Sequence, residues 1–215
     1  MVPPAGARPI DAPTVFVVDD DDQVREALGA VLGSVGLPVE TYDGPLTFLE
    51  ALDEDRAGCV VADLLMPDMG GLELMRCLAD RGCLLPFVII SGHGDVPSAV
   101  DALKLGAVDF VQKPLRVQQL LSAVREALGR NEVRRARRAE RTAARARLAP
   151  LTDREREVLA LLVEGHANKV IAARLGISDN TVENHRAAVM RKTGAGHIAE
   201  LVRLVMVAES AAFPG

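Results

Sequence analysis

Five short runs rich in β-branched and aromatic residues recur along the first half of the chain, at intervals too long for β-hairpins. They begin at Val15, Val39, Cys59, Phe87 and Phe110. Between them, apolar residues recur at the i, i+3, i+4, i+7 spacing of amphipathic helices, over about residues 24–35, 46–52, 70–80, 96–105 and 117–128. Strands that alternate with helices form a parallel sheet covered on both faces. The pattern therefore predicts a doubly wound α/β domain with a five-stranded parallel sheet over about residues 14–127.

The charges are divided unevenly along the chain. Residues 1–127 carry a net charge of −11, residues 128–149 carry +6 and residues 150–215 carry 0, which together give the overall charge of −5. Such asymmetry is typical of modules with different partners. We therefore expect an acidic domain, a basic linker and a separate C-terminal domain.

Composition and segment lengths exclude several classes of protein. Hydrophobic residues make up 49% of the chain, and no apolar run reaches the roughly 18 residues of a membrane span. Residues 1–13 hold four prolines and no signal-peptide core, so they are predicted to be a disordered leader. Three cysteines without CxxC spacing argue against a disulfide framework or a zinc site. We expect a soluble, cytoplasmic protein without a membrane partner.

Polar side chains follow four of the predicted strands. Asp19 and Asp20 follow the first strand, Asp63 ends the third, Ser91 ends the fourth and Lys113 follows the fifth. Each residue alone is compatible with a turn, a helix cap or a solvated surface. Ligand sites of doubly wound sheets lie at the carboxyl ends of the strands, so the set together predicts one site.

The chemistry of this set favours phosphoryl transfer. Carboxylates at one site repel each other unless a cation neutralises them, and an all-oxygen pocket suits Mg²⁺. One carboxylate can then act as a nucleophile toward phosphorus, while the metal, an ammonium and a hydroxyl stabilise the phosphoryl oxygens. Asp63 is the best candidate nucleophile, because it ends a central strand and precedes a loop containing Pro67, Gly70 and Gly71. The sequence lacks the motifs of P-loop, α/β-hydrolase and EF-hand sites.

The same residues lie in segments that carry a family resemblance. The segments are VVDDD at 17–21, DLLMPDMGGLEL at 63–74, SGHGDV at 91–96 and DFVQKP at 109–114. Their ordered set resembles the receiver domain of two-component response regulators, which has a flavodoxin-like or CheY-like fold. The resemblance implies phosphorylation by a sensor histidine kinase.

The resemblance assigns a role to each acidic residue. It implies that Asp63 accepts the phosphoryl group. It also implies that Asp20, Asp63 and the backbone carbonyl of Leu65 hold Mg²⁺, with Asp19 acting mainly through water. Close relatives often have arginine where Leu65 stands; because the ligand there is a backbone carbonyl, the difference should spare phosphorylation.

The resemblance also implies contacts around the phosphoryl group. Ser91 and Lys113 would contact it, and the Lys113–Pro114 peptide would be cis. Phe110 matches the switch aromatic of the family, which turns inward as the hydroxyl of Ser91 moves toward the phosphate. An ordinary core phenylalanine on the fifth strand is the alternative that stays open for Phe110.

The basic linker, residues 128–149, holds eight arginines and many alanines. Both residue types favour helix, so this segment is predicted to be a helical linker that extends from the fifth helix. No sustained heptad of large apolar residues indicates a coiled coil. The charge could contact DNA phosphates, pair with the acidic domain or be solvated. The sequence does not choose among these.

The C-terminal segment, residues 150–215, is predicted to be a small all-α domain of four helices. Thr152 and Glu155 form a capping-box pattern before the first helix, and Ser178 is placed to cap the third. Small Ala172 and the turn residue Gly176 lie at the spacing of a helix-turn-helix. The helices are expected to reach about residues 164, 175, 192 and 208.

In a helix-turn-helix the second helix enters the major groove, which here is the helix over residues 179–192. Its groove face and the preceding helix offer Lys169, Thr181, Glu183, Asn184, Arg186, Ala187 and Lys192. Lysine and arginine suit phosphates, asparagine can read adenine and glutamate can accept a hydrogen bond from cytosine. A small helical interaction module is the alternative, because a net charge of 0 is low for a DNA binder.

A second resemblance covers this domain. The segments LTDREREVL at 151–159, NKVIA at 168–172 and TVENHRAAVMRK at 181–192 resemble the LuxR-type DNA-binding domain, particularly its FixJ-like branch. Together the two resemblances identify the chain as similar to NarL/FixJ-type transcriptional regulators. They imply that phosphorylation at Asp63 shifts the receiver toward a dimerising form that binds a two-fold promoter site.

The resemblance implies binding partners for the chain, and other functions stay open beside it. It implies a sensor histidine kinase, double-stranded promoter DNA and homodimers formed on phosphorylation and on DNA, and it is compatible with a contact to RNA polymerase. In that family the last helix contributes a dimer contact, although its leucine-rich face also suits a core. An aspartate-nucleophile phosphohydrolase and a receiver that is no longer phosphorylated are the rival interpretations.

Overall fold

The computed structural model describes residues 12–92 and 96–210. The predicted leader lies outside the described residues except for Ala12 and Pro13. The chain divides into two compact units, Met1–Arg135 and Ala136–Gly215.

The first unit is built on a five-stranded parallel sheet in the order β2-β1-β3-β4-β5. The strands are β1 Thr14–Val18, β2 Val39–Tyr42, β3 Gly58–Asp63, β4 Phe87–Ser91 and β5 Asp109–Gln112. Four of its helices are α1 Asp22–Ser34, α2 Pro45–Ala51, α3 Gly71–Asp80 and α4 Val96–Lys104, and a fifth, α5, begins at Val117. The predicted doubly wound α/β fold is confirmed.

Both faces of the sheet are covered by apolar layers. Val15 and Val17 of β1 pack with α1 and α5, whereas Phe16 and Val18 pack with α2, α3 and α4. Successive side chains of a strand point to opposite faces, so a strand buried on both sides needs apolar residues at every position. This explains the unbroken apolar runs. None of the three cysteines, all of which lie in the described part of the chain, forms a disulfide, and Cys59 lies in the core.

Helix α5 extends from Val117 to Leu148, so the predicted fifth helix and the basic linker form one continuous helix. Gly129 does not interrupt it, because one glycine costs a helix only about 1 kcal/mol and the surrounding arginines and alanines favour helix. The first compact unit ends within this helix, at Arg135. The division into functional domains at residues 127 and 149 stays a prediction.

Asn131 ties the middle of α5 to the sheet. Its side chain is buried, its Oδ1 accepts a hydrogen bond from the backbone N–H of Gly58 at 3.1 Å, and its Nδ2 donates to the carbonyl of Leu84 at 3.0 Å. These bonds satisfy backbone groups beside the starts of β3 and β4. A residue that the sequence assigned to the linker therefore stabilises the first unit.

The second unit contains the end of α5 and four further helices: α6 Asp153–Val163, α7 Asn168–Leu175, α8 Asp179–Thr193 and α9 Ile198–Glu209. The capping box of Thr152 and Glu155 is present, and Ser178 caps α8. Gly176 ends α7 with φ of 64°, a left-handed conformation that favours glycine.

The crossing of α7 and α8 follows the predicted spacing. Ala172 is buried where the helices meet, and Val182 and Val189 of α8 are both fully buried. A larger residue at position 172 would separate the two helices. The predicted helix-turn-helix is confirmed. In the part of the chain that the structure describes, no helix is both long enough and apolar enough to span a membrane.

We expect Asn131→Ala to lower the free energy of unfolding of the first unit by about 1–3 kcal/mol, because it leaves the Gly58 N–H and the Leu84 carbonyl without their partner. Denaturant unfolding of the full chain measures the change. Glu132→Ala, at the exposed neighbouring position, is the matched control and should stay within about 0.5 kcal/mol of wild type. Equal unfolding midpoints for the two variants would contradict the role of Asn131.

Candidate functional site

The carboxyl edge of the sheet gathers the acidic residues. β1 and β3 are neighbours, so Asp19, just after β1, lies beside Asp63 at the end of β3. Asp20 follows at the exposed surface. Each of the three offers a carboxylate oxygen, and these oxygens lie within 4.8 Å of one another. The structure thus brings together the three carboxylates that the sequence predicted.

Lys113 bridges two of these carboxylates. Its Nζ lies 3.0 Å from Asp19 Oδ2 and 3.0 Å from Asp63 Oδ2. Burial opposes the charge of the ammonium, but the hydrogen bonds to Asp63 and Asp19 outweigh it, so the pKa of Lys113 is raised. Lys113 therefore stays protonated and supplies a fixed positive charge.

Asp19 is the most buried of the three carboxylates, with 1% of its surface exposed. Burial raises its pKa, although hydrogen bonds from the Asp21 N–H and from Lys113 oppose that rise. Arg25 of α1 also donates from Nη1 to the Asp19 carbonyl at 2.6 Å. Sequence reasoning missed Arg25, because helical periodicity carries no signal for a contact back to the preceding loop.

Close backbone packing fixes the conformation of the loop after β3. A Cβ atom at Gly71 would lie 2.4 Å from the carbonyl oxygen of Asp63, and one at Gly70 would lie 2.7 Å from that of Leu64. Only glycine fits at these approaches. The Gly71 N–H also donates to the Leu64 carbonyl at 3.0 Å, which fixes the backbone around Asp63. The side chain of Leu65 points to solvent, with 63% of its surface exposed.

Ser91 and Phe110 lie on the two strands beyond β3. Ser91 ends β4, is buried, and accepts a hydrogen bond at its carbonyl from the Lys113 N–H at 2.8 Å. Phe110 pairs with Ile89 in the sheet and packs, half-buried, against the apolar layer formed with α2, α3 and α4. The Lys113–Pro114 peptide is cis, as predicted.

The donor set suits a hard divalent cation. Three carboxylates converge, and every candidate ligand, including the backbone carbonyl of Leu65, is an oxygen atom. Mg²⁺ prefers such oxygen ligands and keeps several waters, which one exposed and two more buried carboxylates can accommodate. The acidic cluster is therefore compatible with Mg²⁺ binding.

Most of the predicted DNA-contacting residues are exposed. Glu183, Asn184, Arg186 and Ala187 are exposed on α8, whereas Val182 and Val189 are buried, and Lys169 is exposed on α7. Thr181 is half-buried, and its N–H and hydroxyl both bond to the capping Ser178.

Lys192 has a partner inside the second unit. Its Nζ lies 2.7 Å from Oε2 of Glu155, whose side chain is only 7% exposed. The same oxygen accepts the Thr152 N–H at 2.8 Å as part of the capping box. The pair joins the C-terminal end of α8 to the start of α6, a structural contact that sequence reasoning missed.

Known proteins match the chain over both units. The response regulator receiver domain family matches residues 15–125, and the family described as bacterial regulatory proteins, luxR family, matches residues 149–205. The transcriptional regulatory protein FixJ of Azorhizobium caulinodans is 46% identical over 90% of this chain and 92% of its own length. The response regulator protein TodT of Pseudomonas putida is 39% identical over 90% of this chain and 85% of its own length.

Solved structures give the same result. The response regulator StyR is 44% identical, covers 90% of this chain and 98% of its own, and superposes with a TM-score of 0.80. Full-length FixJ from B. japonicum is 40% identical, covers 92% of this chain and 98% of its own, and superposes with a TM-score of 0.56.

A receiver fold with a carboxylate pocket, followed in one chain by a helix-turn-helix unit, defines a DNA-binding response regulator. The chain belongs to the two-component response regulators with a LuxR-type DNA-binding domain, alongside FixJ-type regulators of transcription. The predicted family and regulatory function are confirmed, and the phosphohydrolase alternative falls, because the matching relatives are transcriptional regulators.

The Lys192–Glu155 pair predicts a pH dependence. The hydrogen bond from Lys192, with those from Thr152, lowers the pKa of Glu155 from 4.5 to about 2. Because the pKa of Glu155 is lower in the folded state, its ionised carboxylate stabilises the fold fully at pH values above the unfolded pKa of 4.5. This contribution is lost as the pH falls toward 2. We expect Glu155→Gln to be less stable than wild type at pH 6 and the difference to shrink below pH 4.5.

Urea unfolding of the full chain at pH 6, 4.5 and 3 measures this difference. Glu157→Gln, on an exposed part of the same helix, is the matched control and should show a smaller difference at every pH. A difference between Glu155→Gln and wild type that does not change with pH would show that the pair does not control the acid response.

Proposed function

We propose that Asp63 is the phosphoacceptor and that a sensor histidine kinase supplies the phosphoryl group. The observation that carries the proposal is the Lys113 ammonium, held 3.0 Å from both Asp63 and Asp19 in a pocket of three carboxylates. A carboxylate oxygen of Asp63 attacks phosphorus, an O–P bond forms, and the N–P bond of the kinase phosphohistidine breaks. The pocket provides positive charge where negative charge develops on the phosphoryl oxygens.

The other pocket residues have distinct roles in this proposal. Asp20, Asp63 and the backbone carbonyl of Leu65 would hold Mg²⁺, and Asp19 would act mainly through water. When bound, the cation supplies charge neutralisation for the phosphoryl oxygens. Lys113 would move its hydrogen bonds from the carboxylates to the phosphoryl group. The Ser91 hydroxyl would donate to the same group.

We further infer that phosphorylation changes the receiver surface and favours homodimers. Ser91 moves toward the phosphoryl group, and Phe110, half-buried beside the apolar layer, turns inward to fill the space it leaves. The phosphorylated population then pairs two chains on a two-fold promoter site. A contact with RNA polymerase at that promoter stays a prediction from the family resemblance.

We propose that α8 is the recognition helix. Asn184 reads adenine and Glu183 accepts from cytosine, while Lys169 and Arg186 contact phosphates. Three more residues complete the set of contacts: Thr181, Ala187 and Lys192. An ammonium has three N–H donors, so Lys192 can serve Glu155 and a phosphate together.

Phosphorylation of the full chain by acetyl phosphate with Mg²⁺ tests the receiver proposal. We expect intact-mass spectrometry to show the gain of one phosphoryl group in wild type, and no gain in Asp63→Asn or after removal of Mg²⁺ by chelation. Asp68→Asn is the matched control, since Asp68 lies on the same loop and its φ of 67° suits asparagine. A gain in Asp63→Asn equal to that of wild type would exclude Asp63 as acceptor.

Selection of bound duplexes from a random pool, with phosphorylated protein, tests the DNA proposal. We expect Asn184→Ala to relax the preference at one base position, worth about 1–3 kcal/mol. Lys169→Ala should weaken binding to all sequences and lower the salt dependence by about one unit of slope, whereas Lys169→Arg keeps the charge and the slope. If Asn184→Ala weakened every sequence equally, its role in reading a base would be wrong.

A further inference from the structure

Three arginines of the basic linker donate hydrogen bonds to backbone carbonyls at helix ends. Arg145 Nε donates to the Ala208 carbonyl at 3.0 Å, Arg141 Nη1 reaches the Ser210 carbonyl at 3.5 Å, and Arg147 Nε donates to the Thr193 carbonyl at 2.7 Å. The acceptors lie at the C-terminal ends of α8 and α9. The last carbonyls of a helix lack partners within the helix and carry partial negative charge, which cations stabilise.

Arg147 makes the most extensive of these contacts. Besides Thr193, the last residue of α8, it bonds through Nη2 to Glu200 Oε1 of α9 at 3.0 Å. The second carboxylate oxygen of Glu200 accepts the Gly196 N–H at 2.9 Å. One guanidinium therefore joins the end of α8, the turn that follows it and the first turn of α9.

The charges of this cluster favour the contact. The Gly196 N–H and then Arg147 hold the pKa of Glu200 below its usual range, so the carboxylate is ionised at neutral pH. Arginine suits the position because its planar fork donates to two acceptors at once, which a single ammonium on a flexible stem does less well.

Packing fixes the backbone that carries Arg147. Ala144, three residues earlier on α5, is buried, and Leu148 packs against the same cluster. That cluster contains Val189 of α8 and Leu201 of α9. The end of α5 is thus part of the core against which α8 packs. The backbone that carries Arg147 is fixed by this packing.

We propose that Arg147 is a positioning residue for operator recognition, which holds the C-terminal end of α8 in place without touching DNA. This role rests on the proposed reading of DNA by α8. Asn184 lies nine residues before Thr193, about 13 Å along the helix axis at 1.5 Å per residue. Hydrogen bonds to base edges tolerate only a few tenths of an ångström, so a small tilt of α8 at its held end displaces the base-reading end.

The held end of α8 has two supports. Arg147 bonds to Thr193 from α5, and Lys192 pairs with Glu155 of α6. Loss of Arg147 leaves the Lys192 contact and the buried Val189 in place, so the unit keeps its fold while α8 gains freedom to shift. A role in positioning therefore predicts weaker and less selective DNA binding by a folded protein.

Titration of operator binding against salt tests the proposal with phosphorylated full-length protein. The operator is the duplex selected by wild type, and a scrambled duplex of the same length is the non-specific probe. We expect Arg147→Ala to lower operator affinity by about tenfold, because binding must then order α8 without the charge-assisted hydrogen bonds that Arg147 makes to Thr193 and Glu200. The ratio of operator to scrambled affinity should fall with it, while the slope of log affinity against log salt stays at the wild-type value.

Further variants isolate the contact. Glu200→Gln should also lower operator affinity. The double variant should add little to Arg147→Ala, because the pair between Arg147 and Glu200 is already broken in that variant. Arg137→Ala removes an exposed arginine of the same helix for which no hydrogen bond or ion pair is found among the described residues, and it should leave the affinity ratio unchanged. If Arg147→Ala does not fold, Arg147→Lys gives the test with a smaller loss.

The outcomes separate this role from the proposed function. A salt slope lower by about 0.9 in Arg147→Ala would mean that Arg147 neutralises a phosphate directly, which overturns the positioning role. An affinity ratio equal to that of wild type would also overturn it. A wild-type chain that fails to distinguish the operator from the scrambled duplex would overturn the reading of DNA by α8, and the role of Arg147 with it.

Discussion

The convergence of parallel strands at one edge is the constraint on which the receiver site depends. β1 and β3 are neighbours and run in the same direction, so their carboxyl ends lie side by side. Asp19, just after β1, and Asp63, the last residue of β3, are therefore close together. Lys113, brought to the same edge by β5, offsets their repulsion with two hydrogen bonds of 3.0 Å. The topology thus places repelling carboxylates beside an ammonium. The carboxylates attract a cation, and the ammonium attracts an anionic phosphoryl group.

Helix ends play the corresponding part in the second unit. The capping box of Thr152 and Glu155 provides hydrogen-bond partners for backbone N–H groups at the start of α6. Arginines of α5 donate hydrogen bonds to backbone carbonyls at the ends of α8 and α9. Each short helix has few intrahelical bonds relative to its unsatisfied ends, so side chains that cap them contribute much of its order. The C-terminal part of the linker therefore has a structural function inside the second unit.

Much of the fold and of the receiver site could be predicted from the sequence, because the signals are local. Apolar periodicity located the elements, strand ends placed Asp63 and Lys113, and Ala172 with Gly176 indicated the helix-turn-helix. The arginines and alanines of the linker indicated its helix, whereas the bonds of Asn131 and Arg147 could not be predicted. They join residues 46 to 73 positions apart, and nothing in local periodicity encodes such a pair.

Net charge is a poor guide to DNA binding in this chain, because many of its charges are used internally. The acidic residues of the second unit cap helices and pair with cations: Glu155 with Lys192, Glu157 with Arg154, Glu164 with Arg174 and Glu200 with Arg147. For Lys169 and Arg186, both exposed, no carboxylate partner is found in the described part of the chain. Their field is therefore less compensated than the sum of charges suggests, and a balanced domain can still present a cationic face to phosphates.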